Sequence, residues 1–188
     1  MNIIVKKFGG TSVSSISKLK KIAVNLAKEV SVRKNILVVL SAMGKSTDKL
    51  VEMSNKISKY PNPRDYDMLL STGEQVSVSL LSMILNNLDI PAISLTGWQA
   101  GIYTDSTSMS SRIKKIDSKK IKSEFKKNKI VIVAGFQGID SKGNITTLGR
   151  GGSDTTAVAL AAALKANECQ IYTDVEGVYT TDPRICDK

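Results

Sequence analysis

Short unbroken apolar runs alternate along the chain with stretches in which apolar residues return every three or four positions. Residues 2–8 form the first run, closed by Gly9-Gly10. Ile16, Leu19, Ile22, Ala23, Leu26, Ala27 and Val30 then keep helical spacing, with Ser12 or Ser14 placed to cap the helix. Residues 35–40 read as a second buried strand, 41–46 as a small-residue loop, and Thr47-Asp48 opens another helix. Pro61 and Pro63 punctuate the chain, and a helical pattern then runs to Leu88, with an interruption predicted around Ser71-Thr72-Gly73-Glu74. Further strands are predicted at 90–95, 129–134 and 170–175, and a surface helix at 117–127. Residues 140–144 read as a hairpin turn, and the glycine-rich loop 149–154 runs into an Ala-rich helix over 155–166. Residues 97–111 fit no regular pattern, and 176–188 read as loop.

Apolar strands alternating with helices predict one α/β domain, a three-layer αβα sandwich around a mostly parallel sheet. Ligands in such folds gather beyond the carboxyl ends of the strands. The small polar clusters 9–12 and 41–47 and the pair Thr173-Asp174 fall there, while 149–154 follows the hairpin arm ending at Thr147. Several loops converging on one edge of a sheet make a site.

Composition narrows the chemistry. Among 188 residues, 27 Lys and Arg stand against 17 Asp and Glu, a formal charge of +10. That excess raises nucleic acid as a partner, but aromatics are 5% and the lysines fall on the polar sides of helical patterns, so no nucleic-acid role is expected. No histidine is present, which removes His triads, His metal sites and His general bases. No apolar run approaches the roughly 20 residues of a membrane helix, and the N-terminus lacks the features of a secretory signal. A cytoplasmic protein without a membrane partner is expected. Cys169 and Cys186 make no disulfide framework, and Cys169 reads as a buried apolar residue beside a strand.

Lys6-Lys7-Phe8-Gly9-Gly10-Thr11-Ser12 sets cations and accessible backbone N–H groups ahead of a helix, which suits phosphate, although Gly-Gly after a strand also serves as a plain turn. Gly149-Arg150-Gly151-Gly152-Ser153-Asp154-Thr155-Thr156 has more content. Ser153 or Asp154 can serve as an N-cap, but a cap requires neither Arg150 nor three glycines, so an anion site is favoured. Glu74 suits either a site or a capping or surface role. Thr173-Asp174 with Tyr179, Asp182 and Arg184 is a structured turn or a nucleotide edge, and 41–47 is equally open.

Taken in order, these segments resemble aspartate kinases of the amino acid kinase family. The resemblance is carried by Lys7-Phe8-Gly9-Gly10-Thr11-Ser12-Val13, Ser41-Ala42-Met43-Gly44, Leu70-Ser71-Thr72-Gly73-Glu74, Val133-Ala134-Gly135-Phe136-Gln137-Gly138, Thr147-Leu148-Gly149-Arg150-Gly151-Gly152-Ser153-Asp154, and the run from Tyr172-Thr173-Asp174 to Asp182-Pro183-Arg184. It implies that Lys7, with the backbone of Phe8, Gly9 and Gly10, holds the phosphates of ATP, and that Asp154 orients Lys7. It further implies Arg150 on the α-carboxylate of L-aspartate, Glu74 on its ammonium, Thr47 and Ser153 completing that pocket, and Ser41 near the transferring phosphate. Thr173, Asp174, Tyr179 and Arg184 would line the nucleotide. Mg²⁺ would enter on the phosphates without dedicated protein ligands. The implied reaction makes 4-phospho-L-aspartate, opening the synthesis of lysine, threonine and methionine. Relatives continue past Asp182-Pro183-Arg184 with a second phosphate-facing lysine and, usually, two regulatory ACT domains, so residues 1–188 are expected to be a partial catalytic domain, truncated or completed by another chain. A homo-oligomer is left open, as is a binding remnant without turnover or a related carboxylate or carbamate kinase.

Overall fold

The computed structural model describes residues 2–30 and 35–173. In chain order its elements are β1 (Ile3–Phe8), α1 (Ile16–Val30), β2 (Asn35–Leu40), α2 (Ser46–Ile57), α3 (Pro63–Asn86), β3 (Ala92–Leu95), β4 (Ile102–Thr104), β5 (Ile113–Ile116), α4 (Lys119–Phe125), β6 (Ile130–Ala134), β7 (Gln137–Ile139), β8 (Ile145–Thr147), α5 (Gly152–Leu164) and β9 (Glu168–Tyr172).

The central sheet runs β3-β6-β2-β1-β9, and every pairing in it is parallel. Its inner strands β2 and β6 are almost wholly apolar and buried because both faces are covered, whereas β1 carries two lysines and β9 is mostly exposed. On one face Phe8, Ile36, Val38, Leu40, Ile130 and Ile132 pack against Leu19, Ile22 and Leu26 of α1 and Val78, Leu81 and Leu85 of α3. On the other, Ile3, Val5, Leu37, Val39, Val131 and Val133 meet Ile121 and Phe125 of α4 and Ala157, Leu160 and Leu164 of α5. These are the three expected layers. A smaller mixed sheet, β5-β4-β7-β8, contains the expected hairpin, and β4 lies within the stretch that fitted no pattern. Three- and four-residue strands are too short to declare a period.

Several boundaries differ from expectation. α3 is uninterrupted at Gly73. The hydroxyls of Ser71 and Thr72 donate to the Met68 and Leu69 carbonyls without breaking the helix. Gly73 is small because the chain crosses it closely: a Cβ there would lie 2.9 Å from that of Ala42. α1 is capped by Ser15, whose Oγ accepts from the Lys18 N–H at 3.3 Å, while Ser14 turns back to the Thr11 carbonyl. α5 begins three residues early, with Gly151 as N-cap at φ 73°, so Ser153 and Asp154 lie in its first turn and neither is the cap. Cys169 is exposed within β9, the outermost strand of its sheet among the described residues. By length and composition α3 also qualifies as a membrane span; half of the qualifying window is buried inside the protein, as in a core helix.

Candidate active site

β1 runs between β2 and β9, and its pleat sends neighbouring lysines to opposite faces. Lys6 leaves toward α1, where its Nζ meets Glu29 at 2.7 Å and the Tyr172 hydroxyl at 3.0 Å. Burial works against its charge, but these two partners more than offset that and raise its pKa. Lys6 is therefore structural, and Lys7 alone of the two reaches the loop cluster. Lys7 is 7% exposed, and its ammonium sits 2.7 Å from Asp154 Oδ1 in the first turn of α5.

Three turns close around that pair. The 9–12 turn interlocks with the 41–44 loop: the Gly44 N–H donates to the Gly10 carbonyl at 3.0 Å, and a Cβ on Gly10 would lie 2.9 Å from the Ala42 carbonyl oxygen. The third is the turn into α5. Its buried Ser153 packs so tightly on Gly135 that a Cβ there would approach Ser153 Oγ to 2.7 Å. One cleft of about 320 Å³ results, lined by residues from all three turns.

Lys7, Gly9, Gly10, Ser41, Thr47, Glu74, Arg150, Ser153 and Asp154 all line it, so the structure brings together nine of the residues singled out in the sequence. Phe8 does not face the cleft. Its ring stacks on Tyr172 at 4.5 Å on the α1 side, and only its backbone approaches, accepting from the Ser41 N–H at 3.2 Å. Thr173 is exposed just after β9, whose Tyr172 carbonyl accepts from the Gly9 N–H at 3.3 Å; it follows the glycine turn but is not among the lining residues. Asp174, Tyr179 and Arg184 lie outside the described residues.

Glu74 is the most unusual group. It is 4% exposed, inside α3, and its Oε1 accepts the Ala42 N–H at 3.1 Å. Its Oε2 is buried without a hydrogen-bond partner among the described residues. Burial pushes the carboxyl up to about 7, against the pull of that amide. A carboxylate left this way is a standing acceptor for a cation entering the cleft. Arg150, opposite in sign, is exposed at the rim.

Two further residues were missed in the sequence. Phe136 lines the cleft in left-handed backbone at φ 69°. It follows the carboxyl end of β6 at the same sheet edge as the other loops, and that position was the available signal. Asp67 is fully buried in α3; its Oδ1 accepts the Thr147 hydroxyl at 2.6 Å and both its oxygens accept the Met109 N–H at 3.0 Å. A lone Asp in a helical pattern offers no signal of this.

The arrangement can hold a polyanion against Lys7, the glycine N–H groups and the N-terminus of α5, and beside it a small zwitterion between Glu74 and Arg150. The family model described as the amino acid kinase family matches residues 2–188. The chain belongs to the amino acid kinase family. Within that family it is similar to the aspartokinase of Bacillus sp. (strain MGA3), at 58% identity over 98% of this chain and 45% of that protein. Aspartate kinase from Synechocystis superposes with a TM-score of 0.83 at 50% identity, over 97% of this chain and 30% of that one. E. coli aspartokinase III, in complex with aspartate and ADP, superposes at 0.81 and 30% identity, over 98% of this chain and 52% of that one. The chain thus spans about half the length of the curated relatives it matches.

Proposed function

We propose that the chain carries the catalytic cleft of an aspartate kinase, which moves the γ-phosphoryl group of ATP to the β-carboxylate of L-aspartate. The observation that carries this reading is the buried, unpartnered Oε2 of Glu74 in the same cleft as the Lys7–Asp154 pair. An anion site alone would not bury a second carboxylate beside it; a site for an amino acid would. The likeness to aspartokinases over nearly the whole chain supports the choice of aspartate.

In this reading Lys7 and the backbone of the Phe8–Gly10 turn, with the Gly10 N–H as donor, hold the ATP phosphates, and Asp154 fixes the Lys7 ammonium. Glu74 takes the substrate ammonium and Arg150 its α-carboxylate, with Thr47, Ser153 and Ser41 closing the space between. Mg²⁺ is carried in on the phosphates; such an ion keeps several waters and takes few protein carboxylates. The half-exposed Asp154 at the phosphate end suits that demand. The nucleophile needs no base, because a β-carboxyl with an ordinary pKa near 3.9 is ionised at neutral pH. Catalysis then consists of in-line placement and neutralisation of charge on the moving group. The product is the acyl phosphate 4-phospho-L-aspartate.

The test is ADP release by the protein with MgATP alone and with added aspartate, glutamate or carbamate. Release dependent on aspartate supports the proposal; release dependent on another acceptor moves it within the family. Binding of ATP and aspartate by calorimetry, without ADP release, reduces it to a binding role.

A further inference from the structure

Asp67 precedes Glu74 by two helical turns on α3, so both carboxylates leave the same face, about 10 Å apart along the axis. Neutral donors hold Asp67: the Met109 amide and the Thr147 hydroxyl. A fully buried carboxylate held this way is costly, and an apolar or amide residue would fill the space more cheaply. Its purpose lies in what those donors carry. Met109 sits in left-handed backbone at φ 66°, and its carbonyl oxygen lies 3.3 Å from where a Cβ on Gly149 would stand. Two residues on, Ser111 gives both its N–H and its hydroxyl to the Thr147 carbonyl, at 2.9 and 3.0 Å. The chain from Thr147 to Gly149 is therefore seated on Asp67 directly and on the 109–111 segment that Asp67 anchors. The next residue is Arg150.

We infer that Asp67 is a positioning residue: from inside α3 it seats the Arg150 turn, and so sets the separation between Arg150 and Glu74 that selects the length of the acceptor amino acid. The inference rests on the reading of the cleft as an amino acid site. Asp67 is buried and is not among the residues lining the cleft. It acts through Met109, Thr147 and Gly149, on one helix shared with Glu74.

The experiment compares wild type, Asp67→Asn, Thr147→Val and Arg150→Ala, with the double variant Asp67→Asn/Arg150→Ala, well below their melting temperatures. Asp67→Asn is expected to lower kcat/KM for aspartate at least ten-fold while KM for ATP stays within two-fold, and to narrow the preference for aspartate over glutamate. Thr147→Val, which removes one of the bonds without touching charge, should shift the same quantities in the same direction by less. In the Arg150→Ala background Asp67→Asn should cost almost nothing further, because the turn then presents no guanidinium to misplace. Equal losses toward ATP and aspartate, or losses that add to those of Arg150→Ala, overturn the inference, as does an unchanged kcat/KM. If Asp67→Asn does not fold, Thr147→Val alone and with Arg150→Ala decides by the same criteria. A wild type that binds ATP and no amino acid overturns the functional reading and this inference together; wild-type aspartate binding with unaffected variants overturns this inference alone.

Discussion

Glu74→Gln isolates the charge of the buried carboxylate with little change of shape. The amide oxygen can keep the Ala42 N–H bond at 3.1 Å, and the amide nitrogen takes the place of the unpartnered oxygen. In the folded chain the carboxyl is raised by burial from 4.5 to about 7, so between those values the native state holds a proton that the unfolded state has lost. Folding stability from this group is therefore complete below pH 4.5 and declines as pH rises toward 7. At ~1.4 kcal/mol per pH unit the full loss is about 3 kcal/mol. An unpaired buried amide returns about 1 kcal/mol of this. Without ligands, Glu74→Gln should thus be more stable than wild type by about 2 kcal/mol at pH 8, with the advantage vanishing by pH 5. Urea midpoints across that range measure it, at constant m-value. The same substitution should weaken aspartate binding by about ten- to hundred-fold, the worth of a hydrogen bond between charged groups. Aspartate binding to wild type near pH 6 should release a proton, visible as a dependence of calorimetric heat on the buffer's ionisation enthalpy; the Gln variant should release none from this site. A stability difference independent of pH, or aspartate affinity unchanged in Glu74→Gln, would refute the reasoning.

Three other outcomes follow from the same geometry. Lys7→Ala should cut turnover at least about hundred-fold, the scale of removing one preorganised charge, with a stability cost of only about 1 kcal/mol, since Asp154 is half exposed and can rehydrate; parallel losses of activity and melting temperature would contradict its role. Gly73→Ala should destabilise by about 1–3 kcal/mol, despite alanine's better helix propensity, because its Cβ would meet that of Ala42 at 2.9 Å, and Ala42→Gly should restore stability; a stabilised single variant would show that the crossing is looser. Arg150→Lys, at an exposed position, should leave stability within about 0.5 kcal/mol while raising KM for aspartate about ten-fold, since an ammonium cannot offer a forked pair to a carboxylate; an unaltered KM would place the α-carboxylate elsewhere.

What the sequence disclosed about the fold and the site follows from the range over which each signal acts. An apolar strand and the small polar cluster after it are contiguous, so the layer order and the convergence of 9–12, 41–47 and 149–154 on one sheet edge were legible. Gly73 misled because a glycine inside a helix looks the same locally whether it breaks the helix or admits Ala42. Lys6 and Lys7 show the limit most clearly. The period of two already places them on opposite faces, yet which one enters the cleft depends on the helices that cover those faces: α1 brings Glu29 to Lys6, and α5 brings Asp154 to Lys7. The same holds for Glu74, which by local pattern suits a capping or surface role as well as a site until the 41–44 loop crosses α3 and removes it from water. Loops and charges are thus local properties, while pKa and role are set by whichever distant element arrives to cover them. Asp67 left no trace for that reason: its partners, Met109 and Thr147, come from two different parts of the small second sheet and its flanking loop, whose strands are too short to announce themselves.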